Sequence, residues 1–113
     1  MARFVVLTHD WPELHWDFLA EAGDSLRAWR LLAEPVAGAD IPAEPNFPHR
    51  PLYLDYEGPV SGGRGSVSRW DTGMCVWGAA KPDRVELELW GTKLTGSVVI
   101  RREGEEWVFR LTV

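Results

Sequence analysis

Short runs of alternating apolar and polar residues, separated by Gly, Pro and Asp, dominate this sequence. The clearest is RVELELW, where Val85, Leu87 and Leu89 fall on one face of an extended chain and the glutamates fall on the other. This period of two is typical of a half-buried β-strand. Because no segment carries the apolar stripe of a helix, we predict a mostly β protein, an antiparallel barrel or sandwich.

Further strands are predicted wherever such a run recurs. They are RFVVLT, LHWDFLA, LRAWRLL, PLYLDYEG, SVSRW, MCVW, LTGSVVIRR and WVFRLTV. Turns are predicted at DWPE, EAGDS, SGGRG, DTG, GTK and EGEE. Residues 33–48 hold four of the eight prolines and are predicted to form a loop. Few or no short helices are expected, with room for one in this loop or near AAKPD.

Length and composition limit the kind of protein this can be. A chain of 113 residues predicts one domain, residues 1–113. Cys75 is the single cysteine, so no internal disulfide can form, which fits a cytoplasmic location. The apolar run Phe4 to Leu7 is too short for a signal peptide or a membrane span. We therefore expect a soluble cytoplasmic monomer that does not contact membranes.

The net charge of -5 argues against nonspecific binding of duplex DNA, whose affinity comes largely from neutralised phosphates. A small anionic substrate, or the end of one strand held by a metal and a few arginines, remains compatible with this charge.

The stretch THDWPELHWDF contains a possible metal site. On a strand, His15 and Asp17 share one face and lie about 7 Å apart at the backbone. His9 precedes the turn and could fold back to join them. Two imidazoles and one carboxylate would leave coordination positions open, as a catalytic metal requires. On spacing alone the signal is weak, since isolated His and Asp on a strand are usually solvated.

The third histidine, His49, lies beside Arg50, and together they could hold a phosphate. On an extended segment Tyr53 would share the face of His49, four residues earlier. A loop histidine near a packed tyrosine is the simpler interpretation of the residues alone.

Taken together, these motifs resemble the 3′-phosphoesterase domain of bacterial DNA ligase D and its stand-alone relatives. The resemblance rests on five motifs in order along nearly the whole chain. They are FVVLTH with LHWDF, LRAW, HRPLYLDYEG, GRGSVSRWDTG and LWGTKLTGSVVIRREGEEWVFRL.

The resemblance implies a small antiparallel β-barrel that trims damaged 3′ ends with manganese or a similar divalent ion, zinc or another transition metal included. His9, His15 and Asp17 would hold the metal, and His49 and Tyr53 would contact the scissile phosphate. The substrate would be a DNA or RNA 3′ terminus, such as a primer end, from which a 3′ ribonucleotide or 3′ phosphate is removed. A DNA repair ligase or polymerase is the implied partner.

The chain also departs from the family pattern. Leu19 stands where the family has a phosphate-contacting arginine, and Ala33 or Glu34 stands where it has a lysine. The candidates to replace these cations are Arg27, Arg30, Arg50 and Arg64. Losing two cations could slow phosphoryl chemistry by orders of magnitude. A non-catalytic relative that binds metal or a nucleic-acid end therefore stays open as an alternative, as does a structural barrel with a coincidental site.

Overall fold

The strands close into an eight-stranded antiparallel barrel in the computed structural model, which describes residues 1–113. The elements in chain order are β1 Ala2–His9, β2 His15–Ala22, β3 Ser25–Leu31, β4 Asp40–His49, a 3-10 helix Pro51–Leu54, β5 Gly58–Pro59, β6 Ser66–Lys81, β7 Arg84–Gly91, β8 Thr95–Glu103 and β9 Glu106–Thr112. The order around the barrel is β1-β2-β3-β4-β9-β8-β7-β6, and pairing of β1 with β6 closes it. The predicted small antiparallel β-barrel is therefore confirmed.

The barrel interior is one apolar cluster to which all eight barrel strands contribute. Phe18 lies at its centre, within aromatic contact distance of Phe4, Trp29 and Phe109. Val85, Leu87 and Leu89 are buried in the same cluster, as their alternation predicted. Closure gives every barrel strand a partner on both sides over part of its length, which removes most of the exposed edge that would template unwanted strand pairing.

A second apolar cluster covers part of the outer wall of the barrel. The alternate side chains of β1 and β2, among them Leu7 and Leu19, point outward and are buried under Leu54 of the 3-10 helix. The partly buried rings of Tyr53 and Tyr56 pack against the same cluster. Side chains on both faces of β1 and β2 are therefore buried, and the outward face carries the candidate site where this cluster ends.

The predicted loop over residues 33–48 is wrong in its second half, because Asp40–His49 forms β4. Three prolines in this segment concealed the strand. β4 pairs with β9 only up to Ala43 and with β3 beyond it, so most of the strand has one unpaired side. Proline is tolerated on such an edge, where its missing N–H removes no ladder bond. His49 thus ends a strand.

PLYLDYEG is not a strand either. Pro51–Leu54 forms a 3-10 helix, with backbone bonds from Tyr53 N to Arg50 O and from Asp55 N to Leu52 O. Proline fits the first helical position, and only Leu54 of the four residues is buried, so the alternation of leucines was misleading. No helical segment of the protein is long and apolar enough to cross a membrane.

The predicted turn at DTG is also wrong, because β6 runs without a break from Ser66 to Lys81. Trp70 is the extra residue at a register shift in the β1–β6 pairing, and Asp71 stays within the strand opposite Val6. Its buried carboxylate accepts hydrogen bonds from four backbone N–H groups, those of Thr72, Thr92, Lys93 and Leu94. Asp71 therefore organises the GTK turn instead of forming a turn itself.

Candidate active site

The β1–β2 hairpin brings His9, His15 and Asp17 together on the outer face of the barrel. His9 ends β1 and His15 begins β2, and the two are direct cross-strand partners with ring centroids 4.8 Å apart. Asp17 follows His15 by two residues and so projects from the same face. One potential ligand atom from each residue lies within 4.8 Å of the other two.

Backbone carbonyls fix the orientation of both imidazoles. His15 donates from Nδ1 to the carbonyl of Glu13 at 2.8 Å, and His9 donates from Nε2 to the carbonyl of Arg64 at 2.8 Å. A carbonyl oxygen can only accept, so in each neutral ring the remaining nitrogen carries a lone pair. Those nitrogens face Asp17, with His15 Nε2 3.0 Å from Oδ1 and His9 Nδ1 3.1 Å from Oδ2.

His15 Nε2 is buried and makes no well-aligned hydrogen bond, although the carboxylate is close. Burial acts to lower the pKa of His15, but contact with Asp17 outweighs it and raises that pKa above its ordinary value. For Asp17, burial acts to raise the pKa, and the neighbouring His15, His9 and His49 lower it overall. The cluster therefore favours a negative carboxylate with positive charge beside it.

Gly65 allows the turn SGGRG to approach this hairpin. Its φ is +71°, and a Cβ at this position would lie 2.2 Å from Oδ1 of Asp10 and 2.7 Å from Cβ of Trp11. The same Asp10 oxygen accepts a hydrogen bond from Ser66 N. This close packing is what places the Arg64 carbonyl against His9.

A cleft of about 300 Å³ opens beside the cluster. His9 and Asp17 form part of its wall, whereas His15 faces a second depression on the far side of Arg30. The cleft also contains His49, Arg50 and Tyr53, so the structure brings five of the six predicted site residues into one cavity, with His15 just behind it. Its remaining walls come from Leu7, Trp11, Arg30, Asn46, Phe47, Pro48, Val60, Arg64 and Val67.

His49 and Tyr53 meet edge to face, with ring centroids 5.8 Å apart. They do so because the 3-10 helix turns Tyr53 back toward the end of β4, not because the segment is extended as the sequence suggested. His49 donates from Nδ1 to the carbonyl of Phe47 at 2.9 Å, which leaves Nε2 without a protein partner. All three histidines thus hold one ring nitrogen on a backbone carbonyl, and the other nitrogen faces Asp17 in His9 and His15 and is free in His49.

The charge of the cleft is opposite to that of the whole chain. Arg30, Arg50 and Arg64 line it together with a single carboxylate, Asp17, in a protein of net charge -5. Of the four arginines considered as replacement cations, only Arg27 lies elsewhere, stacked over the rings of two tryptophans. The cleft is therefore suited to an anion.

Two exposed aromatic side chains at the cleft had no signal in the sequence analysis. Trp11 is 43 % exposed and Phe47 is 69 % exposed, and both line the cavity. Phe47 stacks on His49 with ring centroids 5.4 Å apart and an interplanar angle of 14°. Whether an aromatic ring is exposed depends on the fold, so the sequence alone could not identify these two rings as part of a binding surface.

Comparison with known families matches residues 7–102 to the DNA Ligase D 3′-phosphoesterase domain. The chain therefore belongs to this family of DNA-repair-related phosphoesterase domains, and the matched range includes all six predicted site residues. A search of curated proteins found no match to the chain.

Proposed function

We propose that this protein is a divalent-metal-dependent phosphoesterase that heals the 3′ ends of DNA or RNA by removing a 3′ phosphate or a 3′ ribonucleotide. The observation that carries the proposal is the orientation of His9 and His15, each held by a backbone carbonyl and each turning a nitrogen to Asp17. The arginine-lined cleft beside them supports an anionic substrate.

The three side chains fit a metal ion. A buried imidazole nitrogen without a hydrogen-bond partner, facing a carboxylate, is a common arrangement of metal ligands, and a backbone carbonyl on the other ring nitrogen is the usual second contact of a ligating histidine. Mixed imidazole and carboxylate ligands suit Mn²⁺, with Zn²⁺ or another transition ion also accepted. When bound, the ion would neutralise charge and act as a Lewis acid at the phosphoryl group.

The chain's own residues would complete the chemistry. The free Nε2 of His49 is available to hold phosphate or to protonate the leaving oxygen, since imidazole exchanges protons near neutral pH. The phenol of Tyr53 would orient the same phosphate from the adjacent wall. Arg50 is exposed at the rim, where it would attract the incoming anion.

A nucleic-acid end is favoured over a small phosphate ester because aromatic rings flank the anion-binding residues. Trp11 and Phe47 would offer apolar faces to the terminal base, and base–aromatic stacking contributes about 1–3 kcal/mol per base. Family membership supports association with a repair ligase or polymerase that would use the healed hydroxyl.

The test offers the protein a primer that ends in a 3′ phosphate or in a 3′ ribonucleotide, with Mn²⁺ present. We expect product from the wild type, none without metal, and a rate at least about 100-fold lower in His15→Ala and Asp17→Ala. Asp24→Ala, in the exposed β2–β3 turn, is the matched control and should act like the wild type. Equal product from all four proteins would reject the proposal.

A non-catalytic relative that binds a metal or a nucleic-acid end is the second candidate, and Leu19 favours it. This residue replaces a family arginine and is completely buried in the outer apolar cluster, so it cannot reach a phosphate. Metal-dependent turnover by the wild type above that of His9→Ala would eliminate this candidate. Metal binding without any turnover would support it.

A further inference from the structure

Arg30 is a charged side chain without a partner in the protein. It lies on β3, in register with Asp17 on one neighbouring strand and Glu44 on the other. Neither carboxylate forms an ion pair with it, because the oxygens of Asp17 contact the two hairpin histidines and Glu44 is exposed. The Nε of Arg30 is buried and has no hydrogen-bond acceptor.

This position of the Arg30 side chain costs free energy unless a hydrogen-bond acceptor binds next to it. A buried N–H that loses water without gaining a partner costs free energy, and more so when the group is charged. Arg30 nevertheless lies in the wall between the cleft and the second depression, next to the hairpin cluster. An anion that entered either cavity at this wall would supply the missing acceptor.

The other two arginines of the cleft are less suited to this task. Arg64 is already bound, since its Nε donates to the Ser61 carbonyl at 2.7 Å and its terminal nitrogen donates to the Ser61 hydroxyl at 3.2 Å. Arg50 is exposed at the rim, where water competes for its hydrogen bonds and weakens ion pairing. Arg30 is the half-buried cation with free donors.

We propose that Arg30 binds the phosphate of the nucleic-acid end, beside His9, His15 and Asp17. A guanidinium presents paired N–H groups that match two phosphate oxygens. The cation therefore comes from the neighbouring strand β3, because the β2 position two residues after Asp17 is the buried Leu19. This assignment rests on the proposed function and identifies the residue that binds the phosphate of the substrate.

The test titrates inorganic phosphate into the metal-free protein and follows arginine Nε–H signals by NMR. The Arg30 signal, identified by its absence in Arg30→Lys, should shift on addition of phosphate. Arg30→Met should weaken phosphate binding about ten- to hundredfold. Arg30→Lys should weaken it less, because lysine keeps the positive charge and loses only the paired N–H groups of the guanidinium. Arg84→Met removes an exposed arginine paired with Glu86 and should change nothing.

Turnover of the 3′-phosphate primer separates this assignment from the proposed function. Phosphate binding that depends on Arg30 without any turnover would support the assignment and reject the enzyme. Turnover with the same KM and kcat in Arg30→Met as in the wild type would support the enzyme and overturn the assignment. Unchanged phosphate affinity in a folded Arg30→Met, or loss of affinity in Arg50→Met alone, would also overturn it.

Discussion

Nε2 of His15 lies 3.0 Å from Oδ1 of Asp17, and both side chains are buried. The other ring nitrogen of His15 is occupied by the Glu13 carbonyl, so a neutral ring turns a lone pair toward a carboxylate. Two acceptors this close repel each other unless a positive species lies between them. A proton on His15 or a metal ion shared with Asp17 would meet that need, so protons and metal should compete for this position.

Asp17→Asn should weaken Mn²⁺ binding by at least about 100-fold, because an amide keeps the shape of the carboxylate and loses its charge. Calorimetric titration of Mn²⁺ measures this directly. Asp24→Asn makes the same chemical change in an exposed turn and should bind like the wild type. Equal affinity in the two variants would show that Asp17 is not a ligand.

The stability of the metal-free protein should depend on pH through the same pair. The raised pKa of His15 stabilises the fold below its ordinary value of 6.5, and this contribution is lost as pH rises through the folded pKa. The lowered pKa of Asp17 stabilises the fold at pH values above 3.8, the ordinary pKa of the carboxyl, and that contribution is lost as pH falls through the folded pKa of Asp17. Arg30 opposes protonation of His15, so it limits but does not reverse the effect.

Urea midpoints measured with a chelator from about pH 3 to about pH 9 should therefore be highest between about pH 4 and 6.5. Asp17→Asn should flatten the decline above pH 6.5, since His15 then has no carboxylate to keep its proton. A variant profile parallel to that of the wild type would contradict the coupling.

The convergence of His9, His15 and Asp17 was predictable from the sequence because it needs only one hairpin. Alternation places His15 and Asp17 on one face, and the turn returns His9 to the same position. The remaining cleft depends on contacts between distant segments. Arg30 was one of four candidate arginines in the sequence, and it was favoured over the others only when the structure placed β3 beside β2. Tyr53 reaches His49 through a 3-10 helix that the alternating leucines did not predict.

Asp71 illustrates the same limit for the fold. In the sequence it stands in DTG and suggests a turn, yet its carboxylate bonds to backbone N–H groups about twenty residues later in the chain. No local pattern encodes such a partner. The prolines of residues 33–48 likewise indicated a loop, although they lie partly in β4. Proline is compatible with β4 because one side of that strand is largely unpaired, and this depends on the neighbouring strands and not on the residues of β4.

Asp71→Asn should lower the free energy of unfolding by about 3 kcal/mol, because an NH₂ group would replace one of two oxygens that face only donors. Urea denaturation measures the change. Asp83→Asn, at the exposed β6–β7 turn, is the matched control and should stay within about 0.5 kcal/mol of the wild type. A similar small effect at Asp71 would mean that the GTK turn does not need the carboxylate.

Gly65→Ala should destabilise the protein more than Gly63→Ala. Both glycines have positive φ, so both variants carry the backbone cost of about 1–2 kcal/mol. Only at Gly65 would the new methyl meet Asp10 and Trp11, which adds about 1–3 kcal/mol of overpacking. The displaced turn should also disturb the Nε2–H signal of His9 in Gly65→Ala alone, and equal effects of both variants would exclude this close packing as the cause.

Phe47→Ala should weaken binding of a single-stranded end about five- to hundredfold, the range that corresponds to one stacked base. Inorganic phosphate should bind the variant as it binds the wild type, since the ring contributes no charge. Leu52→Ala removes another exposed apolar side chain that does not line the cleft, and it should leave both affinities unchanged. Fluorescence anisotropy of a labelled 3′-phosphorylated oligonucleotide measures the first affinity. If Phe47→Ala binds that oligonucleotide as tightly as Leu52→Ala does, the base does not stack on Phe47, and the cleft selects its ligand through phosphate alone.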